Sequence, residues 1–448
     1  MAIPFLGRLA LYEYPLLVVS FTLAWLEYII SIITMFLPDS VIKLFTITTR
    51  QIYSLFNIAQ GEKQYYYKGE DLTTEEHDVM TKLIYSDNIE QMAEIFGYTI
   101  DNHIVKTKDN YLLNIHRVSK PGPQRPSNGK IVYLHHGLLM CSEIWMTMLD
   151  KNLNLPLVLY DLGYDVWLGN NRGNKYCQKH IYHSVKSEQF WNFSLDEFAI
   201  FDIPNIIDYI LTTSNINDKL TYIGFSQGTA QVFGSVSINN DLNEKIDQII
   251  AISPATTPHG LYSKFLDIFV KASPNVIYLL FSRKVLMPSV LFWQRIMYPP
   301  LFNSSIDMSN YLLFNWKSLN ISEVQKLCSY GHLYSTTSVK TVVHWFQIMK
   351  NKNFQMYFDR YNYSGYYQPM SYPLKNIKIP IHLIYGNQDS LVDINVMKNQ
   401  LPTKSTTSVE VDGHEHLDNI WGSDIGDRVF KHVLHYLGED KPNGSVQY

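Results

Sequence analysis

The hydrophobic pattern changes character several times along the 448 residues. Leu16 to Leu37 is an apolar run of 22 residues whose one charge is Glu27. A run of that length can span a bilayer core of about 30 Å. A secretory signal is the competing reading. Its apolar region is shorter and ends in small residues, and Thr34-Met-Phe-Leu-Pro38 offers no such site. Val41 to Ile58 then places Ile42, Phe45, Ile52, Leu55 and Phe56 at broadly helical spacing, with Lys43 and Arg50 between them. This is the pattern of an interfacial amphipathic helix. Residues 1–60 are therefore expected to attach the chain to a membrane or lipid surface, with a buried structural hairpin as the alternative. Residues 61–87 are polar and acidic and are expected to be a linker running into a short helix.

From Asn88 onward the period alternates between strand and helix. Ile89 to Phe96 is helical and closed by Gly97. Thr99 to Val105 and Tyr111 to Val118 alternate as two strands about the turn Lys108-Asp-Asn110. Lys130 to Gly137, Leu162 to Leu168, Thr221 to Ile223 and Gln248 to Ser253 read as strands, and a helix opens at Trp191. That rhythm predicts an α/β fold, a mostly parallel sheet with helices on both faces. Between Pro254 and about Tyr372 the rhythm stops. Val290 to Tyr298, Tyr311 to Phe314 and Val342 to Phe346 are helical and rich in large apolar groups. Strands resume at Lys378 to Tyr385 and Val409 to Val411. The expected organisation is a core of residues 88–254 and 376–438, a helical insertion at 255–375, and a tail at 439–448.

Candidate chemistry clusters at the strand ends. Gly224-Phe-Ser226-Gln-Gly228 joins a strand to a helix, the setting of a nucleophile elbow. Small residues two positions either side of Ser226 let strand and helix approach closely. The apolar strand ending in His136-Gly-Leu138-Leu139 suits the other half of an oxyanion hole, which needs two rigid backbone N–H donors. The expected donors are the amides of Leu138 and Gln227. His135 and His136 form a strand-end pair without a third ligand nearby, a structural pattern more often than a metal site. An acid that orients an imidazole belongs after the strand ending at Tyr385, where Asp389 and Asp393 compete. His414 and His416 compete for the base. Arg172 is expected to tie down its loop by hydrogen bonds. No metal or organic cofactor is called for.

Composition narrows the picture a little. Apolar residues make up 46% and charged residues 17%, enough for a large core. A net charge of -4 gives no reason to expect a nucleic-acid partner. Three cysteines, Cys141, Cys177 and Cys328, cannot form a disulfide framework, although one bridge is possible.

The blocks Tyr133-Leu-His-His-Gly-Leu-Leu139, Asp165-Val-Trp-Leu-Gly-Asn-Asn-Arg-Gly-Asn174, Trp191-Asn-Phe-Ser194, Gly224-Phe-Ser-Gln-Gly228 and His416-Leu-Asp418 together resemble the acid lipase family. The resemblance covers about residues 88–438. It implies an α/β-hydrolase fold with a helical cap, a serine esterase mechanism, and a Ser226, Asp389, His416 triad in that chain order. It selects Asp389 over Asp393, and His416 over His414. The family's Phe after Leu-Asp is Asn419 here, a departure expected to touch packing beside the base. The amino terminus looks most like the membrane-anchored fungal branch, the yeast sterol esterases and triglyceride lipases of lipid droplets. The resemblance therefore implies hydrolysis of steryl esters and acylglycerols at a lipid-droplet or membrane surface. A hydrolase of smaller esters and a lipid-surface protein that has lost catalysis are the alternatives.

Overall fold

The computed structural model describes residues 72–439 apart from 123–127, 216–218, 265–266, 287, 359–368 and 392, together with scattered positions between 14 and 51. Its sheet has nine strands: β1 (Thr99–Lys106), β2 (Tyr111–Ser119), β3 (Ile131–His135), β4 (Asp165–Leu168), β5 (Lys179–His180), β6 (Leu220–Phe225), β7 (Ile246–Ile252), β8 (Ile381–Gly386) and β9 (Thr406–Val411). The order is β1-β2-β4-β3-β6-β7-β8-β9, with the short β5 beside β2. The β1–β2, β2–β4 and β2–β5 pairs are antiparallel. From β4 to β9 every pairing is parallel.

The parallel strands read as continuous apolar runs because both faces are covered. Every residue of β3, β4 and β6 is buried. One core lies on the face with Val132, Leu134, Ile223, Ile250 and Ile384, the other on the face with Tyr133, Trp167, Tyr222, Ile249 and Leu383. Alternate residues of each strand thus serve opposite cores.

Helices start where the sequence can satisfy their free amides. In α1 (Thr74–Ile84), Thr73 Oγ1 accepts from the Glu76 amide while Glu76 accepts from the Thr73 amide, a reciprocal capping box. Asn88 caps α2 (Ile89–Ile95), and Gly97 takes the left-handed backbone (φ 80°) that ends it. After α3 (Leu155–Asp161), Ser194 and Glu197 form a second capping box ahead of α4 (Ile203–Ser214). Arg172 does tie down its loop. It donates to both oxygens of Asp109 and to Asp202, itself fully buried.

Helix α5 (Gln227–Ile238) follows β6 directly. Between β7 and β8 the chain instead forms a series of helices, including α6 (Pro274–Phe281), α7 (Ser289–Ile296), α8 (Pro299–Phe314), α9 (Glu323–Ser329) and α10 (Val339–Asn351). The apolar segments read from the sequence fall in α7, α8 and α10. A separate apolar cluster joins Val276, Ile277 and Leu280 of α6, Leu286, and Val339 and Val343 of α10. After β8 come α11 (Ile394–Gln400), then β9 and α12 (Lys431–Tyr436). All three cysteines are buried and none forms a disulfide among the described residues.

The expected membrane-anchored, lipid-droplet location is corrected. Among the described residues no helix is long and apolar enough to cross a membrane. Most of the Leu16–Leu37 run and of the Val41–Ile58 segment lies outside the described residues.

Candidate active site

The polar residues singled out in the sequence lie at or just beyond the carboxyl ends of β3, β6, β8 and β9. Ser226 follows β6 with φ 52° and ψ -119°, a left-handed backbone that a residue with a side chain rarely adopts. The conformation is held on both sides. The Ser226 amide donates to Ile252 O at 3.1 Å, and Ser226 O accepts from the Thr229 amide and hydroxyl. Gly228 is required by a close approach. A Cβ there would lie 2.6 Å from His135 O and 2.8 Å from His136 O. Strand β3 and helix α5 can touch only because this position is bare.

The loop after β3 presses on the serine. A Cβ on Gly137 would stand 3.1 Å from Ser226 Cβ. Leu138 comes next, and Leu139 takes a left-handed backbone (φ 58°) whose carbonyl accepts from the Ser335 amide at 2.6 Å. Gln227 opens α5, where first-turn amides have no acceptor within the helix. Its side chain is occupied, since Gln227 Oε1 accepts from Trp345 Nε1 at 2.7 Å.

Hydrogen bonds fix the tautomers of the two strand-end histidines. His136 Nε2 accepts from the Asn171 amide, so its Nδ1–H donates to Gly137 O at 2.8 Å. His135 Nδ1 pairs with the Tyr133 hydroxyl at 2.6 Å and Nε2 with Asn171 Oδ1 at 2.8 Å. Burial pushes the His135 imidazole down to about 4. Burial, with His135 beside it, holds His136 well below the usual range as well. Two neutral rings thus brace the loop that bears Leu138.

Asp389 and His416 are joined directly. His416 Nδ1 lies 2.6 Å from Asp389 Oδ2, and both side chains are buried. Asp389 Oδ1 accepts from the Leu391 amide at 2.9 Å, which fixes the carboxylate plane. The His416 ring centroid is 5.1 Å from that of Phe225, the residue before Ser226, and 5.0 Å from Trp316. The competing residues have other partners. Asp393 caps α11 by accepting from the Val396 amide and stands 3.4 Å from His259. His414 lies between Asn419 Oδ1 and Asp424 Oδ1.

Several residues of this neighbourhood were given no hydrogen-bonding role from the sequence. Ser253, at the end of β7, donates its hydroxyl to the carbonyl of His416 at 2.8 Å. Asn419 donates to Ser253 Oγ at 2.9 Å and faces His414 with its amide oxygen. The departure at Asn419 therefore does more than alter packing. It links the two loop histidines through hydrogen bonds. Asp418 accepts from the Glu415 amide and from Asn320, closing the loop on itself. Its place in the block His416-Leu-Asp418 was the available signal.

A buried acid–imidazole pair beside a strained serine and a pinched loop of backbone amides can deprotonate a hydroxyl and hold an oxyanion. Comparisons with known proteins agree with that chemistry. Residues 130–423 match the alpha/beta hydrolase fold family, and residues 89–149 match the partial alpha/beta-hydrolase lipase region. A probable lipase of Schizosaccharomyces pombe is 47% identical over 364 residues, covering 79% of this chain and 82% of that protein. A second probable lipase of the same organism is 38% identical over 434 residues, covering 94% and 90%. Human gastric triacylglycerol lipase is 32% identical over 372 residues, covering 79% and 92%. The chain belongs to the acid lipase family of α/β-hydrolases and is a carboxylic ester hydrolase.

Proposed function

We propose that the protein hydrolyses long-chain fatty acyl esters through an acyl-enzyme, with Ser226 as nucleophile, His416 as base and Asp389 as the acid that orients it. The 2.6 Å contact between His416 Nδ1 and Asp389 Oδ2 carries the reading, because it leaves Nε2 as the nitrogen able to take a proton. His416 Nε2 removes the Ser226 proton as Oγ attacks the ester carbonyl. The backbone amides of Leu138 and Gln227 stabilise the oxyanion. The imidazolium protonates the departing alcohol, and water activated by the same imidazole releases the fatty acid.

In this reading residues 88–254 and 376–438 form the catalytic core, and residues 255–375 form a cap over it. The exposed apolar side chains Tyr262, Met308, Tyr311, Leu312 and Leu319 support that role, since a cap over a lipid site presents apolar surface. Two alcohols are candidates for the leaving group. A sterol follows from the amino-terminal resemblance. Glycerol is favoured by the gastric triacylglycerol lipases, to which 79% of this chain aligns. The test is fatty-acid release from steryl oleate, triolein and a short ester in parallel, with Ser226→Ala as control. Release from steryl oleate, absent in the variant, makes the protein a sterol esterase. Release confined to triolein makes it an acylglycerol lipase, and release confined to the short ester an esterase. Undiminished activity in Ser226→Ala overturns the assignment.

A further inference from the structure

The segment between α8 and α9 lies against both loops that supply the acid–imidazole pair. Ser390 donates to Phe314 O at 2.5 Å, beside Asp389. The amides of Lys317 and Ser318 donate to the Glu415 carboxylate at 2.8–2.9 Å. Asn320 donates to Gly413 O at 2.8 Å. Within this strap Trp316 is buried and lies parallel to the imidazole of His416, at 5.0 Å between centroids and 6° between planes. Phe314 stacks on Trp316 in turn at 4.4 Å.

Packing alone does not explain an indole here. Trp316 Nε1 is buried with no hydrogen-bond partner among the described residues, an arrangement that costs stability. A leucine, methionine or phenylalanine would fill apolar space without that penalty. What an indole adds is a π face, the strongest side-chain partner for a cation. The ring it faces becomes a cation once it takes a proton.

We propose that Trp316 is a positioning residue for His416, holding the imidazole in its plane and stabilising the imidazolium formed when Ser226 Oγ–H gives its proton to Nε2. The inference rests on the triad reading above. The strap belongs to the helical insertion, so it also makes the base depend on how that insertion sits.

The test uses the full-length chain and p-nitrophenyl butyrate, a soluble ester for which lipid adsorption plays no part. Wild type is compared with Trp316→Phe, Trp316→Leu and Trp316→Met. The readouts are kcat, KM, melting temperature and the rate of covalent inactivation by a p-nitrophenyl phosphonate. Leu and Met are expected to lower kcat about tenfold, with KM within about twofold and phosphonylation slowed by a similar factor. Phe, which restores an aromatic face, is expected to stay within about threefold of wild type. If Trp316→Leu does not fold, Trp316→Met carries the same comparison. An active wild type matched by Trp316→Met in kcat overturns this inference alone, as does a loss confined to KM. A wild type inert to both ester and phosphonate overturns the triad reading and this inference with it.

Discussion

Helices α5 and α8 show how differently two regions of this protein use apolar sequence. Of the twelve residues of α5, all but Ile238 are buried, and the helix packs between the sheet and its neighbours. Of the sixteen residues of α8, only Phe302, Asn303, Ile306 and Asn310 are buried, while Met308, Tyr311 and Leu312 are 59, 44 and 45% exposed. The first helix carries Ser226, the proposed nucleophile, at its start and is buried along nearly its whole length. The second belongs to a region that keeps large apolar side chains at its surface. The proposed chemistry, which needs sub-ångström placement, would sit on the former, and adaptation to an apolar substrate would suit the latter.

The largest expected effect falls on the rigid side of that contrast. Asp389→Asn is expected to lower kcat by about 10⁴-fold, because an amide favours the wrong imidazole tautomer. Asp393→Asn is expected to leave activity nearly unchanged, since Asn caps a helix as well as Asp. Equal losses in the two variants would move the acid away from Asp389.

An intermediate effect concerns pH. His116 and His135 are each pushed down to about 4 by burial, against an ordinary value of 6.5. The unfolded chain takes up these protons near pH 6.5 and the folded chain only near pH 4. Stability conferred by the neutral rings is therefore lost as pH falls through that window, by roughly 3 kcal/mol per histidine at most. Glu143 acts in the same direction lower down. Burial alone would raise its carboxyl, but His332 and Lys175 hold it at about 2, so its contribution fades below about pH 4.5. Urea midpoints at pH 7, 5.5 and 4.5 check this. A midpoint independent of pH would show that these buried groups do not stabilise the fold in the protonation states described.

The smallest effect belongs to the insertion. Leu312→Ser is expected to change stability by no more than about 0.5 kcal/mol, because the side chain is half exposed. It is expected to leave hydrolysis of a soluble ester intact and to slow hydrolysis of emulsified triolein. A stability loss of several kcal/mol would instead place Leu312 in a core and erase the contrast with α5.

The sequence by itself determined the sheet and the position of its turns, because both are local. Period-two and continuous apolar runs, bounded by glycine, dictate strands such as Ile131–His135 and Leu220–Phe225. Gly228 and Gly137 mark where backbone must come close. Ser226 was expected from its turn, Asp389 from its place after a strand and its match to the family, and His416 from the block His416-Leu-Asp418. Only the tertiary structure decided what surrounds the base. Ser253, Trp316 and Asn320 lie 163, 100 and 96 positions from His416, and no periodicity links such separations. It also decided the partners of Asp393 and His414, the Val396 amide and the Asp424 carboxylate. Hydrogen-bond partners are chosen by three-dimensional distance, and a linear pattern carries that information only within a turn or a strand pair.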